Sequence, residues 1–319
     1  MPNFLAHHLF AKDLFQLKNQ DLKYEDRSFL KNNFFYLTWG SQGPDPLFYN
    51  GLNFRNGFHL ITALKKTGNK LHKDNFEKLL SIMCEKYNTI KEFKTDAIKS
   101  FIVGQFAHYM LDSYTHPFIL YKSGFNEEGR IKGKYHYAHA HYEMLIDASL
   151  AESRNMGFFK DYPYYYLLND DKKFDIINKF MYEVLKTYFK DIKIYQKIYK
   201  SGAKNMYTFI KFVNTGSKAR TFIFTNTSLS AMRVTKKKVE KDVLNLKNDI
   251  WLDPTTGKEE KASFIDLYNE AFKNVVELYD VVKDKDDLQV EYFKKYLSGL
   301  DYYGKNKDSK LTYCEERKK

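Results

Sequence analysis

Three ligand-type side chains stand four residues apart in Gly104-Gln-Phe-Ala-His108-Tyr-Met-Leu-Asp112-Ser-Tyr-Thr-His116-Pro117. At about 100° per residue, His108, Asp112 and His116 each drift only about 40° from the last, so they share one face of a helix. Phe101, Ile102, Phe106, Tyr109 and Met110 lie opposite and can anchor that helix in a core. Gly104, one turn earlier, removes a side chain and lets another element approach. Such a face can contribute to a metal cluster; a buried, hydrogen-bonded His-Asp-His network without metal is the simpler alternative.

A second pair follows in His136-Tyr-Ala-His139-Ala-His141-Tyr-Glu143, where His139 and Glu143 share a face and can chelate one ion. His136, one turn before His139, is an alternative ligand, and His141 points away. In Gly43-Pro44-Asp45-Pro46, the prolines set Asp45 on a stiff extended corner, suited to a ligand or to a plain turn. His72, read at the start of a helix, is a ligand or an exposed terminal residue. Of His7 and His8 in the first helix, only one can face inward with Phe4 and Ala11. All nine histidines fall within the first 141 residues, which puts the chemistry in the first half.

The elements that must hold these residues read as helices. Apolar stripes at helical spacing run through 4–17, 29–39, 98–121, 174–199 and 239–250. Phe76, Leu79, Leu80, Met83 and Tyr87 form another, with Asp74 or Asn75 as its cap, and Ser263-Phe-Ile-Asp266 reads as a capping box. Thr221-Phe-Ile-Phe-Thr225 is the one tempting strand. The expected fold is all-α: a multi-helix bundle with a metal cluster in a cleft. We expect a single domain over 1–319, with a ligand-bearing half at 1–150. Residues 151–319 form a packing half, ending in a polar tail from Tyr303 that frays.

Composition excludes some classes. The 319 residues are 43% hydrophobic and 29% charged, a globular balance. The formal charge is +12, but only 7 of the 52 cations are Arg, which argues against a dedicated nucleic-acid reader. No apolar run reaches the roughly eighteen residues of a membrane span. His7, His8, Lys12 and Asp13 interrupt the first apolar stretch, so no signal peptide is read and the expected location is cytoplasmic. Cys84 and Cys314 suggest no disulfide framework.

In order, Met1-Pro2, His7, Gly-Pro-Asp45-Pro, His72, His108-x3-Asp112-x3-His116-Pro and His139-x3-Glu143 resemble the zinc-dependent phospholipase C family, specifically its unsecreted bacterial branch. The resemblance covers roughly residues 1–150. It implies an all-helical domain holding up to three zinc ions. One would be bound by Asp45, His72, His108 and Asp112, and a second by His116, His139 and Glu143. The third would take His7, Asp112 as a bridge, and the amine of Pro2 after removal of the initiator methionine. Only three residues separate Asp112 from His116, fewer than in the secreted members, and no β-sandwich lipid-binding domain is recognisable in the residues after the helical part.

The implied activity is zinc-dependent phosphodiester hydrolysis of the phospholipase C type, with a zinc-bound hydroxide attacking phosphorus. Asp112 would bridge two ions, and Asp45, at the cleft edge, would accept a proton. The substrate would be a phospholipid, reached by peripheral contact with an anionic membrane face. Two alternatives stand beside it. One is a zinc nuclease or other phosphodiesterase of related fold; the other is a non-catalytic, zinc-stabilised helical protein.

Overall fold

A computed structural model describes residues 4–21, 24–50, 62–156, 170–214, 241–297, 299–306 and 308–315. Ten α-helices occur among them. They are α1 (Phe4–Asp21), α2 (Tyr24–Gly40), α3 (Thr62–Lys73), α4 (Phe76–Thr89), α5 (Asp96–Ser123), α6 (Lys134–Ser153), α7 (Asp171–Tyr188), α8 (Ile198–Asn214), α9 (Phe264–Val282) and α10 (Glu291–Lys294). The described strands are two-residue pieces, β1 (Trp251–Leu252) and β2 (Glu259–Glu260), paired antiparallel. The chain is all-α, as its periodicity predicts. No described helix is long and apolar enough to cross a membrane.

Helix α5 is the axis. Thr95 caps it by accepting the Ile98 amide, and its buried residues include Ile98 through Ser113 without a break. A helix apolar on every side is one surrounded by others, and α2 and α9 both pack along it. Gly104 is where α2 comes closest: a Cβ there would overlap Leu37 O and stand 2.7 Å from Gly40 Cα. Two glycines thus let two backbones touch. Asn75 caps α4 through the Glu77 amide, and Ser263 with Asp266 closes a full capping box on α9. One continuous apolar core runs from Phe4 to Tyr302.

Several expectations need correction. The 174–199 stripe is two helices: the first ends at Tyr188, where Phe189 leaves helical geometry, and the Asn178 side chain ties the second back to it, donating to Gln196 O and accepting from Lys200 N–H. Residues 241–250 form turns instead of a helix. Asp242 accepts the Leu246 and Lys247 amides, and Asn245 and Asn248 adopt positive φ. Such side chains offer the backbone partners that compete with helical ones. The tail is anchored, since Leu311 and Cys314 pack against Leu120 and Phe125, and Thr312 and Tyr313 donate to Pro254 O. Cys84 and Cys314 are buried and unpaired. Thr221–Thr225 lies outside the described residues.

Candidate metal centre

Four helices and one tight corner bring the predicted residues together. His7 comes from α1, His72 from α3, His108, Asp112 and His116 from α5, and His139 and Glu143 from α6. Asp45 opens a 3-10 turn, Asp45–Tyr49, with Pro46 at its second position. The corner is coiled where an extended one was expected, because Pro46 also suits the first turn of a helix. His72 sits in the last turn of α3, not at a helix start. Both His7 and His8 are buried, against the expectation that only one faces inward: His7 enters the cluster and His8 packs beside Phe34. His136 is exposed and outside the cluster; Pro2 lies outside the described residues.

The ligand atoms form three groups, each within 4.8 Å: His7, His108 and Asp112; Asp45, His72 and His108; His116, His139 and Glu143. His108 belongs to two of them, whereas the resemblance makes Asp112 the ligand shared between the ions. Asp112 is central, with His7 Nε2 and His108 Nε2 each 3.2 Å from one of its oxygens and His116 Nδ1 at 4.0 Å. His72 Nε2 lies 3.1 Å from Asp45 Oδ1, and His139 Nε2 lies 2.8 Å from Glu143 Oε1. His116 Nε2 stands 3.7 Å from the same Glu143 oxygen.

The far side of each ring decides what these short distances mean. Nδ1–H of His72 donates to Gly68 O at 2.8 Å, of His108 to Ser41 O at 3.0 Å, and of His116 to Asp112 O at 3.1 Å. Ser123 Oγ spends its proton on Ile119 O and accepts from His139 Nδ1–H at 3.3 Å. A carbonyl can only accept, so in the neutral rings Nε2 carries the lone pair. Lone-pair nitrogens then face carboxylate oxygens across 2.8 to 3.2 Å, acceptor against acceptor. A cation between them resolves the conflict. Tetrahedral zinc with bonds near 2.1 Å sets its ligand atoms about 3.4 Å apart, a little wider than these spacings.

Unmade hydrogen bonds point the same way. Among the described residues, His7 Nε2, His108 Nε2 and both Asp112 oxygens are buried without a partner of hydrogen-bonding geometry. Leaving a fully buried carboxylate so costs several kcal/mol, roughly, unless a charge compensates. Burial pushes the Asp112 carboxyl up, but the imidazoles of His108, His116 and His7 outweigh it and hold the group well below the usual range. Burial drives His116 down to about 4 and lowers His7 as well. In His108 burial is outweighed by Asp112 and Asp45, and its affinity for a proton rises. Imidazole nitrogens together with ionised carboxylates make a donor set that suits zinc.

Two contributors escaped sequence reasoning. Asp147 is buried on α6, and its oxygens accept the Leu5 and Ala6 amides at 2.9 Å each. This fastens the first turn of α1, whose amides have no helical partner, immediately before His7. Its signal was present: His139, Glu143 and Asp147 repeat the four-residue spacing of His108, Asp112 and His116. The other is the turn around Tyr302, whose ring packs 4.9 Å from His72 and 5.7 Å from His108. No local pattern announces it.

No curated protein and no solved structure matches the chain significantly. Residues 1–202 match the sequence model of one family, zinc-dependent phospholipase C. That match runs through every helix and turn that carries a candidate ligand, α1 to α6, and covers more than half of the 319 residues. On this match, the chain belongs to the zinc-dependent phospholipase C family.

Proposed function

We propose that this protein is a zinc-dependent phosphodiester hydrolase of the phospholipase C type. His7, Asp45, His72, His108, Asp112, His116, His139 and Glu143 hold up to three ions. The observation that carries the reading is the convergence of partnerless buried ligand atoms around Asp112. Bound zinc would supply Lewis acidity, an acidified water and neutralisation of the phosphate charge.

The chain's own residues prepare that chemistry. Asp112 stays ionised and ties α1 to α5 across His7 and His108. The hydrogen bonds at Nδ1 of His72, His108, His116 and His139 fix those rings and raise the basicity of their Nε2 atoms, so little rearrangement is needed there on binding. Asp45, at the edge of the cluster with an oxygen 3.1 Å from His72 Nε2, would accept a proton. The substrate is a phospholipid head group. The excess of 12 positive charges favours an anionic membrane face.

Metal content of the untagged protein, followed by hydrolysis assays on short-chain phospholipid and on single-stranded DNA, tests the proposal. Tightly held zinc with turnover of the phospholipid is the expected result. Preference for DNA would transfer the same site to nuclease chemistry, whereas saturated zinc without any hydrolysis would leave a structural role. A protein that retains no metal overturns the reading.

Asp147 adds a prediction. Asp147→Ala releases the first turn of α1, and loss of such an outer support weakens metal affinity about 10- to 100-fold. Competition with a chromogenic chelator measures this. Unchanged affinity in the variant would mean that His7 is held without the Asp147 contact.

A further inference from the structure

The family match ends at residue 202, yet the site is closed by chain from near residue 300. The turn Asp301–Lys305 is held by its own bonds: Asp301 Oδ1 accepts the Tyr303 and Lys305 amides at 2.9 and 3.2 Å, and Asp301 O accepts the Gly304 amide. It is also fastened to the elements that carry the ligands. Tyr109 on α5 donates its hydroxyl to Leu300 O, and the Tyr302 amide donates to His72 O on α3.

Gly304 makes the closest contact. Its φ is +67°, and a Cβ there would overlap Ser113 O and stand 2.7 Å from Pro117 Cγ. Pro117 has no N–H for the Ser113 carbonyl four residues before it, so α5 is locally open to this approach. The turn therefore presses on α5 between Asp112 and His116.

The two tyrosines divide the work. Tyr302 is fully buried against His72 and His108 and seals that side. Tyr303 is only partly exposed, with its ring centroid 5.1 Å from that of His116. Its hydroxyl has no hydrogen-bond partner among the described residues. A phenol hydroxyl can donate one hydrogen bond.

We propose that Tyr303 is a substrate-contacting residue, its phenol donating a hydrogen bond to a non-bridging oxygen of a phosphodiester bound beside His116, His139 and Glu143. The inference rests on the zinc hydrolase reading above. It assigns the substrate wall to a segment outside the family-matched residues, and it identifies the ligand as a phosphate ester anion. A phenol suits this task, since a hydrogen bond to a charged oxygen is stronger than one between neutral groups.

Tyr303→Phe tests it, because the change removes one oxygen and keeps the ring on His116. Zinc content is measured first, then the affinity of the zinc-loaded protein for inorganic phosphate by calorimetry. Steady-state kinetics on a short-chain phosphatidylcholine complete the set, with Tyr313→Phe as an exposed control. The expected result is unchanged zinc, phosphate affinity and kcat/KM each reduced about tenfold or more, and a control that behaves as wild type. Wild-type phosphate affinity in a zinc-replete Tyr303→Phe protein overturns the inference and leaves the zinc reading standing. Wild-type protein without zinc overturns both, so the metal measurement separates the two failures.

Discussion

Asp112→Ala is expected to lower kcat/KM for phosphodiester hydrolysis by about 10³ or more, some 4 kcal/mol of transition-state stabilisation. Zinc content measured by plasma mass spectrometry should fall with it. The Asp112 carboxylate lies 3.2 Å from nitrogens on both α1 and α5, so one truncation removes a link between two elements. Asp112→Asn keeps the shape and removes the charge, and it should fail in the same way. The metal-free alternative, a His-Asp-His network, makes a different prediction. There Asp112→Ala would destabilise the protein whether or not a chelator is present, because the imidazoles would lose a hydrogen-bonded counter-charge. In the zinc reading, chelator removes most of the difference between wild type and variant. Thermal unfolding of both proteins with and without chelator tells these patterns apart.

Stripping the metal from wild-type protein should itself lower Tm. An ion present at a thousandfold its Kd stabilises the folded state by about 4 kcal/mol. For a chain of this size that corresponds to a drop of roughly 6 °C, and more if several ions leave. The cause is visible in the cluster: without a cation, the lone pairs of His72, His108 and His139 face carboxylates at 2.8 to 3.2 Å. The protein must then bind extra protons or loosen. Zinc should restore Tm and magnesium should not, because imidazole nitrogen is a poor ligand for a hard cation. A Tm indifferent to chelator, in protein shown to have lost its metal, would contradict this account.

Much of this protein is local, and what is local was legible. The faces of α5 and α6 follow from a 3.6-residue period, so His108, Asp112 and His116 were aligned before any coordinates, as were His139 and Glu143. The caps of α4 and α9 and the close approach at Gly104 depend on residue types at fixed offsets, and they appear as read. The period was less reliable where polar side chains compete for backbone groups. Asp242, Asn245 and Asn248 turn one stripe into loops, and another breaks after Tyr188, where Phe189 leaves helical geometry.

By itself, the sequence determined the helical class, the candidate ligand types and their order along the chain. Only tertiary packing decided which ligands meet. His108 joins two groups, His7 stacks on it with ring centroids 4.0 Å apart, and Asp147 reaches across to the start of α1. The turn carrying Tyr302 and Tyr303 returns to His72 and His116 over more than 180 residues of chain. The physical reason is range. Hydrophobic period and capping are set within a turn or two of helix, whereas a site built from five elements depends on how their buried faces pack, which no local spacing records.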